Sequence, residues 1–156
     1  MDTEITDEFQ QVLDLLSVAT PPVVFVTGSA GTGKSTLIDV LRYELDKNLV
    51  VVAPTGVAAL NVQGQTIHSL FQLPPGPQPR AKRIAGAAKD VVEKMEVLVI
   101  DEVSMVRADL LDAIDDSLRL NTGRAGAPFG GKTLVLVGDM HQLPPVVAGA
   151  EEQRLF

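Results

Sequence analysis

Four stretches of the chain are almost wholly apolar and rich in β-branched or aliphatic residues: Val23–Thr27, Leu49–Ala53, 97–101 and 133–137. Each is continuous rather than alternating, which predicts strands covered on both faces. Between them the apolar positions change to helical spacing. Phe9, Val12, Leu13 and Leu16 fall on one face of an opening helix. Leu37, Val40, Leu41 and Leu45 do the same for a second helix, and Leu110, Leu111, Ile114 and Leu118 for a third. Strands alternating with helices predict βαβ units and an α/β fold with a mainly parallel sheet.

Two stretches interrupt this rhythm. Pro74-Pro75-Gly76-Pro77-Gln78-Pro79 lacks the backbone donors that a helix or inner strand needs. Residues 121–131 hold four glycines and a proline and are expected to form a loop. The expected organisation is one domain over 1–156, with an N-terminal helical region at 1–20 and a short proline-rich, basic insertion at 74–90. Residues 151–156 carry no folding signal of their own.

Composition narrows the class. With aromatics at 4% of the chain, the core must be built from Val, Leu, Ile and Ala. No window is apolar enough for a membrane helix, the opening residues are acidic rather than basic, and cysteine is absent. These features point to a soluble cytoplasmic or nucleoid-associated protein without membrane partners. The net charge of −7 by itself argues against nucleic acid. Arg80, Lys82, Arg83 and Lys89 nevertheless form a local basic segment, and a groove on an acidic protein can be positive. Met95, Met105 and Met140 are expected to serve packing.

The first strand runs into Gly28-Ser29-Ala30-Gly31-Thr32-Gly33-Lys34-Ser35, and a helix begins near Thr36. This is a phosphate-binding loop in its required context, with a strand before and a helix after. Its glycines let backbone N–H groups curl inward, and the helix presents its positive end to phosphates. Lys34 is expected to reach the β- and γ-phosphates of ATP, and the Ser35 hydroxyl to ligate Mg²⁺. The third strand ends in Asp101-Glu102. A carboxylate at a strand end suits Mg²⁺, which keeps most of its waters, so Asp101 is assigned as second metal ligand. Glu102 is expected to polarise the attacking water. The bland alternative makes Asp101 a helix cap and Glu102 a solvated surface residue. The fourth strand leads into Gly138-Asp139-Met140-His141-Gln142-Leu143-Pro144-Pro145-Val146. Gln142 can donate to a γ-phosphate and accept from water, so it can register hydrolysis.

In this order the motifs resemble those of the Pif-type (RecD-like) DNA helicases of superfamily one. The resemblance rests on GSAGTGKS (28–35), APTGVAALNVQGQTIHSLF (53–71), VLVIDEVSMV (97–106) and PFGGKTLVLVGDMHQLPPV (128–146). The first and third are general to ATPases; the second and the GDxxQLPPV portion are particular to this family. The resemblance implies a P-loop, RecA-like sheet flanked by helices and ATP-driven movement along single-stranded DNA, usually five-prime to three-prime. It also implies DNA contacts by Pro54, Thr55, Gly56, Thr66, His68 and Ser69. Two alternatives stay open: a strand-closing turn at Thr55-Gly56, and a buried histidine at position 68 beside Leu70 and Phe71. The family usually reads adenine with a glutamine in an LSxEQ pattern. Here Ile5-Thr6-Asp7-Glu8-Phe9 puts Phe9 at that place, leaving Gln10, or else Gln11, as the nearest candidate. The second RecA-like domain, which supplies arginines to the ATP site, is expected to lie outside these residues. The competing reading is a nucleotide-dependent switch that binds a partner without unwinding DNA.

Overall fold

The computed structural model describes residues 5–18, 23–29, 31 and 33–141. Ala30, Thr32 and Gln142, and with Gln142 the whole LPPV stretch, lie outside the described residues. The elements in chain order are α1 (Asp7–Val18), β1 (Val23–Thr27), α2 (Lys34–Glu44), β2 (Leu49–Ala53), α3 (Gly56–Asn61), β3 (Gln65–Thr66), α4 (Ile67–Phe71), α5 (Ala87–Lys94), β4 (Val97–Ile100), α6 (Ala108–Thr122) and β5 (Thr133–Gly138). Two 3₁₀ turns lie at Val103–Met105 and Pro128–Gly131. The sheet has the order β1-β5-β4-β2-β3, and every pairing is parallel.

The pleat sorts strand side chains into two layers. Val24, Val51, Val99, Val135 and Val137 meet Leu13, Leu16, Leu37, Ile38 and Leu41 of α1 and α2. Val52, Leu98, Ile100 and Leu134 meet Leu70, Phe71, Val92, Ile114 and Leu118 of α4, α5 and α6. All four residues of β4 are buried, so both faces of this strand are covered. Each such aliphatic side chain stabilises the fold by about 1.5–3 kcal/mol when fully buried.

β1 departs from the expectation drawn from its apolar run. Among the described residues it lies at the sheet edge, and while Val24 is buried, Val23 and Phe25 are 44% and 48% exposed. An apolar run identifies a strand but not its place in the strand order, which long-range pairing decides. The expected loop at 121–131 starts later, because α6 continues through Thr122. The 74–90 insertion is likewise shorter, since residues from Ala87 belong to α5. Nor is it loose. Leu73 and Ile84 are buried in the core. The Gln72 side chain donates to the Ala85 carbonyl (2.9 Å) and accepts from its N–H (3.2 Å). Asn121 accepts from the Ile84 N–H (2.9 Å) and donates to the Lys82 carbonyl (3.0 Å). Among the described residues no helix is long and apolar enough to cross a membrane.

Candidate nucleotide site and nucleic-acid groove

The parallel strands all point their carboxyl ends the same way, so the loops after β1, β2, β4 and β5 share one edge of the sheet. Open α/β sheets place ligands at that edge. After β1, Gly31 (φ +81°) and Gly33 (φ +89°) adopt left-handed backbone conformations that L side chains rarely take. They turn the chain into α2, whose N-terminus carries no side-chain cap and no acidic residue in its first turn. Its first N–H groups are therefore available to an anion. Lys34 Nζ folds back over this loop and donates to the carbonyls of Gly28 (2.5 Å) and Ser29 (2.8 Å). Ser35 and Thr36 are exposed at the mouth.

Asp101 follows the last residue of β4 and is anchored by its N–H to the Val52 carbonyl (2.9 Å). Its side chain is buried, and burial pushes its pKa up against the opposing pull of the Glu102 N–H and the Lys34 charge. Glu102 has a left-handed backbone (φ 52°, ψ 40°), a costly conformation for a non-glycine residue. Burial raises its pKa first, the Asp101 charge raises it further, Lys34 lowers it and Asp139 raises it again. These four groups therefore lie within electrostatic reach of one another.

Asp139 was not singled out from the sequence. It is buried, and its Oδ1 accepts the His141 N–H at 2.9 Å. The signal that could have found it is an acidic residue directly after an apolar strand, the same pattern that identified Asp101. Gly138 brings it in. A Cβ at Gly138 would stand 2.9 Å from Val103 Cγ1 and 3.2 Å from the Val103 nitrogen, so only glycine lets β5 end against the turn that follows Glu102. Nearby, the Ser104 hydroxyl is enclosed and has no hydrogen-bond partner among the described residues.

Gln10 carries an exposed amide that donates to Asp14 Oδ1 (2.7 Å) along the flank of α1. The Phe9 ring lies instead against the loop, 3.4 Å from where a Gly33 Cβ would stand.

Beyond β2 a groove of about 290 Å³ is lined by Pro54, Thr55, His68, Pro75, Gly76, Met105, Arg107 and Leu110. The structure thus brings Pro54, Thr55 and His68 together, whereas Gly56, Thr66 and Ser69 are not among the lining residues. His68 is half-buried, between the two alternatives left open for it. Two of the hydroxyls have structural duties: Thr55 accepts from the Ala58 N–H and Thr66 from the Ser69 N–H, each at 3.2 Å, as N-caps of α3 and α4. Met95 packs in the core as expected, but Met105 lines the groove and Met140 is 61% exposed. Arg107, which sequence reading passed over, forms part of the groove wall.

A parallel sheet flanked by helices, with a glycine loop entering α2 and acidic residues at the ends of β4 and β5, has the RecA-like α/β fold of P-loop ATPases. The model of the PIF1-like helicase family matches residues 1–156. The human ATP-dependent DNA helicase PIF1 is 39% identical over 150 residues, covering 93% of this chain and 23% of that protein. The Bdellovibrio bacteriovorus ATP-dependent DNA helicase Pif1 is 37% identical over 161 residues, covering 99% of this chain and 36% of that one. Bacteroides Pif1 solved bound to single-stranded DNA superposes with a TM-score of 0.88 at 42% identity, over 99% of this chain and 36% of that one. The same enzyme in complex with ADP-AlF3 and single-stranded DNA also gives 0.88. This chain belongs to the PIF1-like helicase family, and it spans 23% and 36% of the length of these two curated relatives.

Proposed function

We propose that this chain is the ATP-binding motor domain of an ATP-dependent DNA helicase that moves along single-stranded DNA, five-prime to three-prime. The observation that carries the reading is the shared sheet edge: the phosphate loop and the Asp101, Glu102 and Asp139 carboxylates stand beside a groove holding Thr55 and His68. Relatives of this fold that are named as helicases, or solved with single-stranded DNA and a nucleotide analogue, support it.

In this reading the backbone N–H groups of 28–33, with Ala30 and Thr32 among them, and of Ser35 and Thr36 cradle the phosphates. Lys34 exchanges its two loop carbonyls for β- and γ-phosphate oxygens. The donor set fits Mg²⁺: a hydroxyl at Ser35 and a carboxylate at Asp101 are hard oxygen ligands, and a buried carboxylate with a raised pKa is stabilised by an adjacent cation. When bound, the metal neutralises charge developing on the phosphate oxygens. Glu102 holds the attacking water and takes its proton. Gln142 contacts the γ-phosphate and the water, and Gln10 remains the candidate base reader. A second RecA-like domain closes the site and contributes cationic charge, worth on the order of 10³-fold or more in turnover. Pro54, Thr55 and His68, with Gly56, Thr66 and Ser69 beside them, contact phosphate and sugar without reading sequence.

The test pairs calorimetry of Mg·ATP binding with fluorescence anisotropy of a labelled oligothymidylate. The expected result is binding of both, with Lys34→Ala losing nucleotide only. A folded sample that binds no Mg·ATP overturns the reading. Nucleotide binding without oligonucleotide binding replaces the helicase by a nucleotide-dependent switch.

A further inference from the structure

Arg107 and Asp109 grip the proline-rich insertion from the start of α6. Arg107 Nε stands 3.1 Å from Asp109 Oδ1 and Nη2 3.3 Å from Oδ2, a two-pronged pair whose side chains are 16% and 10% exposed. Arg107 Nη2 also donates to the Gly76 carbonyl (2.8 Å). Asp109 Oδ2 accepts the Gln78 N–H (2.7 Å), and Oδ1 accepts the Leu110 N–H (2.9 Å). Both gripped residues have left-handed backbones, Gly76 at φ +100° and Gln78 at φ +47°. The pair thus holds the two positions of this stretch whose φ no proline ring fixes. Removing one partner of a part-buried, hydrogen-bonded pair leaves the other unpaired, so the turn depends on both residues together.

The grip has a second end. Met105, Arg107 and Gly76 form one wall of the groove that faces Thr55 and His68. Arg107 is joined to Glu102 by a single tight turn, held by Met105 N–H to the Glu102 carbonyl (2.9 Å) and Val106 N–H to the Val103 carbonyl (3.0 Å). The end of β5 presses on that same turn through Gly138 and Val103. Movement of Glu102 or of Asp139 therefore reaches the groove wall through short, packed connections.

We infer that Arg107 and Asp109 are the positioning pair that couples nucleotide occupancy beside Glu102 to single-stranded DNA in the groove. They do so by tying the Pro75–Gly76 wall to the segment that follows Glu102. The inference rests on the reading of the groove given above. In it, Arg107 acts through the wall and is not itself a phosphate ligand.

The experiment is a thermodynamic cycle on the 156-residue chain. Oligothymidylate affinity is measured by anisotropy with and without a saturating non-hydrolysable ATP analogue and Mg²⁺, and analogue affinity by calorimetry. Coupling between two sites is typically about 5–150-fold and reciprocal. The wild type is expected to fall in that range. Arg107→Gln and Asp109→Asn are each expected to reduce it to about 1, with analogue affinity in the absence of oligonucleotide within about threefold of wild type. Arg107→Lys is expected to fail as well, because an ammonium cannot form the two-pronged pair. Asp109→Asn keeps one oxygen for a backbone N–H and reports even where Arg107→Gln does not fold. Coupling that survives both changes overturns the inference, as does a wild type that binds both ligands independently. Loss of oligonucleotide affinity in Arg107→Gln but not in Asp109→Asn also overturns it and makes Arg107 a direct contact. A wild type that binds neither ligand removes the proposed function itself, and this inference with it.

Discussion

Gly138 runs so close to Val103 that a methyl group on it would meet the valine Cγ1 at 2.9 Å and the valine backbone nitrogen at 3.2 Å. This contact seats the end of β5 against the turn after Glu102 and so places Asp139 beside the Asp101–Glu102 pair. Gly138→Ala is expected to destabilise the domain by about 1–3 kcal/mol through overpacking and to slow ATP hydrolysis. Because part of the clash is with the Val103 side chain, Val103→Ala in the same chain is expected to restore part of the lost stability. Thermal denaturation of the single and double variants checks both.

The Glu102 backbone is left-handed, and its side chain is pushed toward neutrality by burial and by Asp101. Glu102→Gly removes both costs. It is expected to raise stability by about 1 kcal/mol, near 2–4 °C in thermal midpoint for a domain of this size, while lowering ATP turnover by about 10²–10⁴-fold. A variant that is neither more stable nor less active contradicts the assignment of Glu102 as a strained catalytic base.

Thr55 combines two duties that substitution can separate. Thr55→Ala removes the α3 cap and is expected to cost about 1 kcal/mol. Thr55→Asp keeps an oxygen for the Ala58 N–H and adds a negative charge to the groove. It is expected to hold wild-type stability and to weaken oligonucleotide binding by about tenfold or more. Denaturation and anisotropy on the same samples decide.

Asp115 provides the pH dependence. Its two oxygens each lie 2.9 Å from Arg119 Nε, and its Oδ1 accepts the Phe129 N–H. Burial alone would raise its pKa; the Arg119 hydrogen bond, the Phe129 N–H and the Arg119 charge together outweigh it and hold the carboxyl below the ordinary aspartate range. A depressed carboxyl pKa stabilises the fold above the unfolded-state value, and the gain is lost as pH falls through the folded-state value. The thermal-midpoint advantage of wild type over Asp115→Asn is therefore expected to be full at about pH 6 and to shrink below about pH 3.9. An advantage independent of pH assigns the effect to packing instead.

The sequence by itself determined the local pieces. The runs at β1, β2, β4 and β5 and the helical faces of α1, α2 and α6 were legible because period and β-branching are properties of neighbouring residues. The phosphate loop was legible because glycine spacing dictates a backbone shape that needs no partner. What only the tertiary structure decided is where separate segments meet. Among the described residues it put β1 at an edge with Phe25 half exposed, it set Phe9 on the loop, and it brought Asp139 next to Glu102. It also turned the proline-rich stretch into a clamped wall through Gln72, Asn121, Arg107 and Asp109. Each of these depends on side chains tens of residues apart competing for one place, and no local pattern encodes the outcome of that competition.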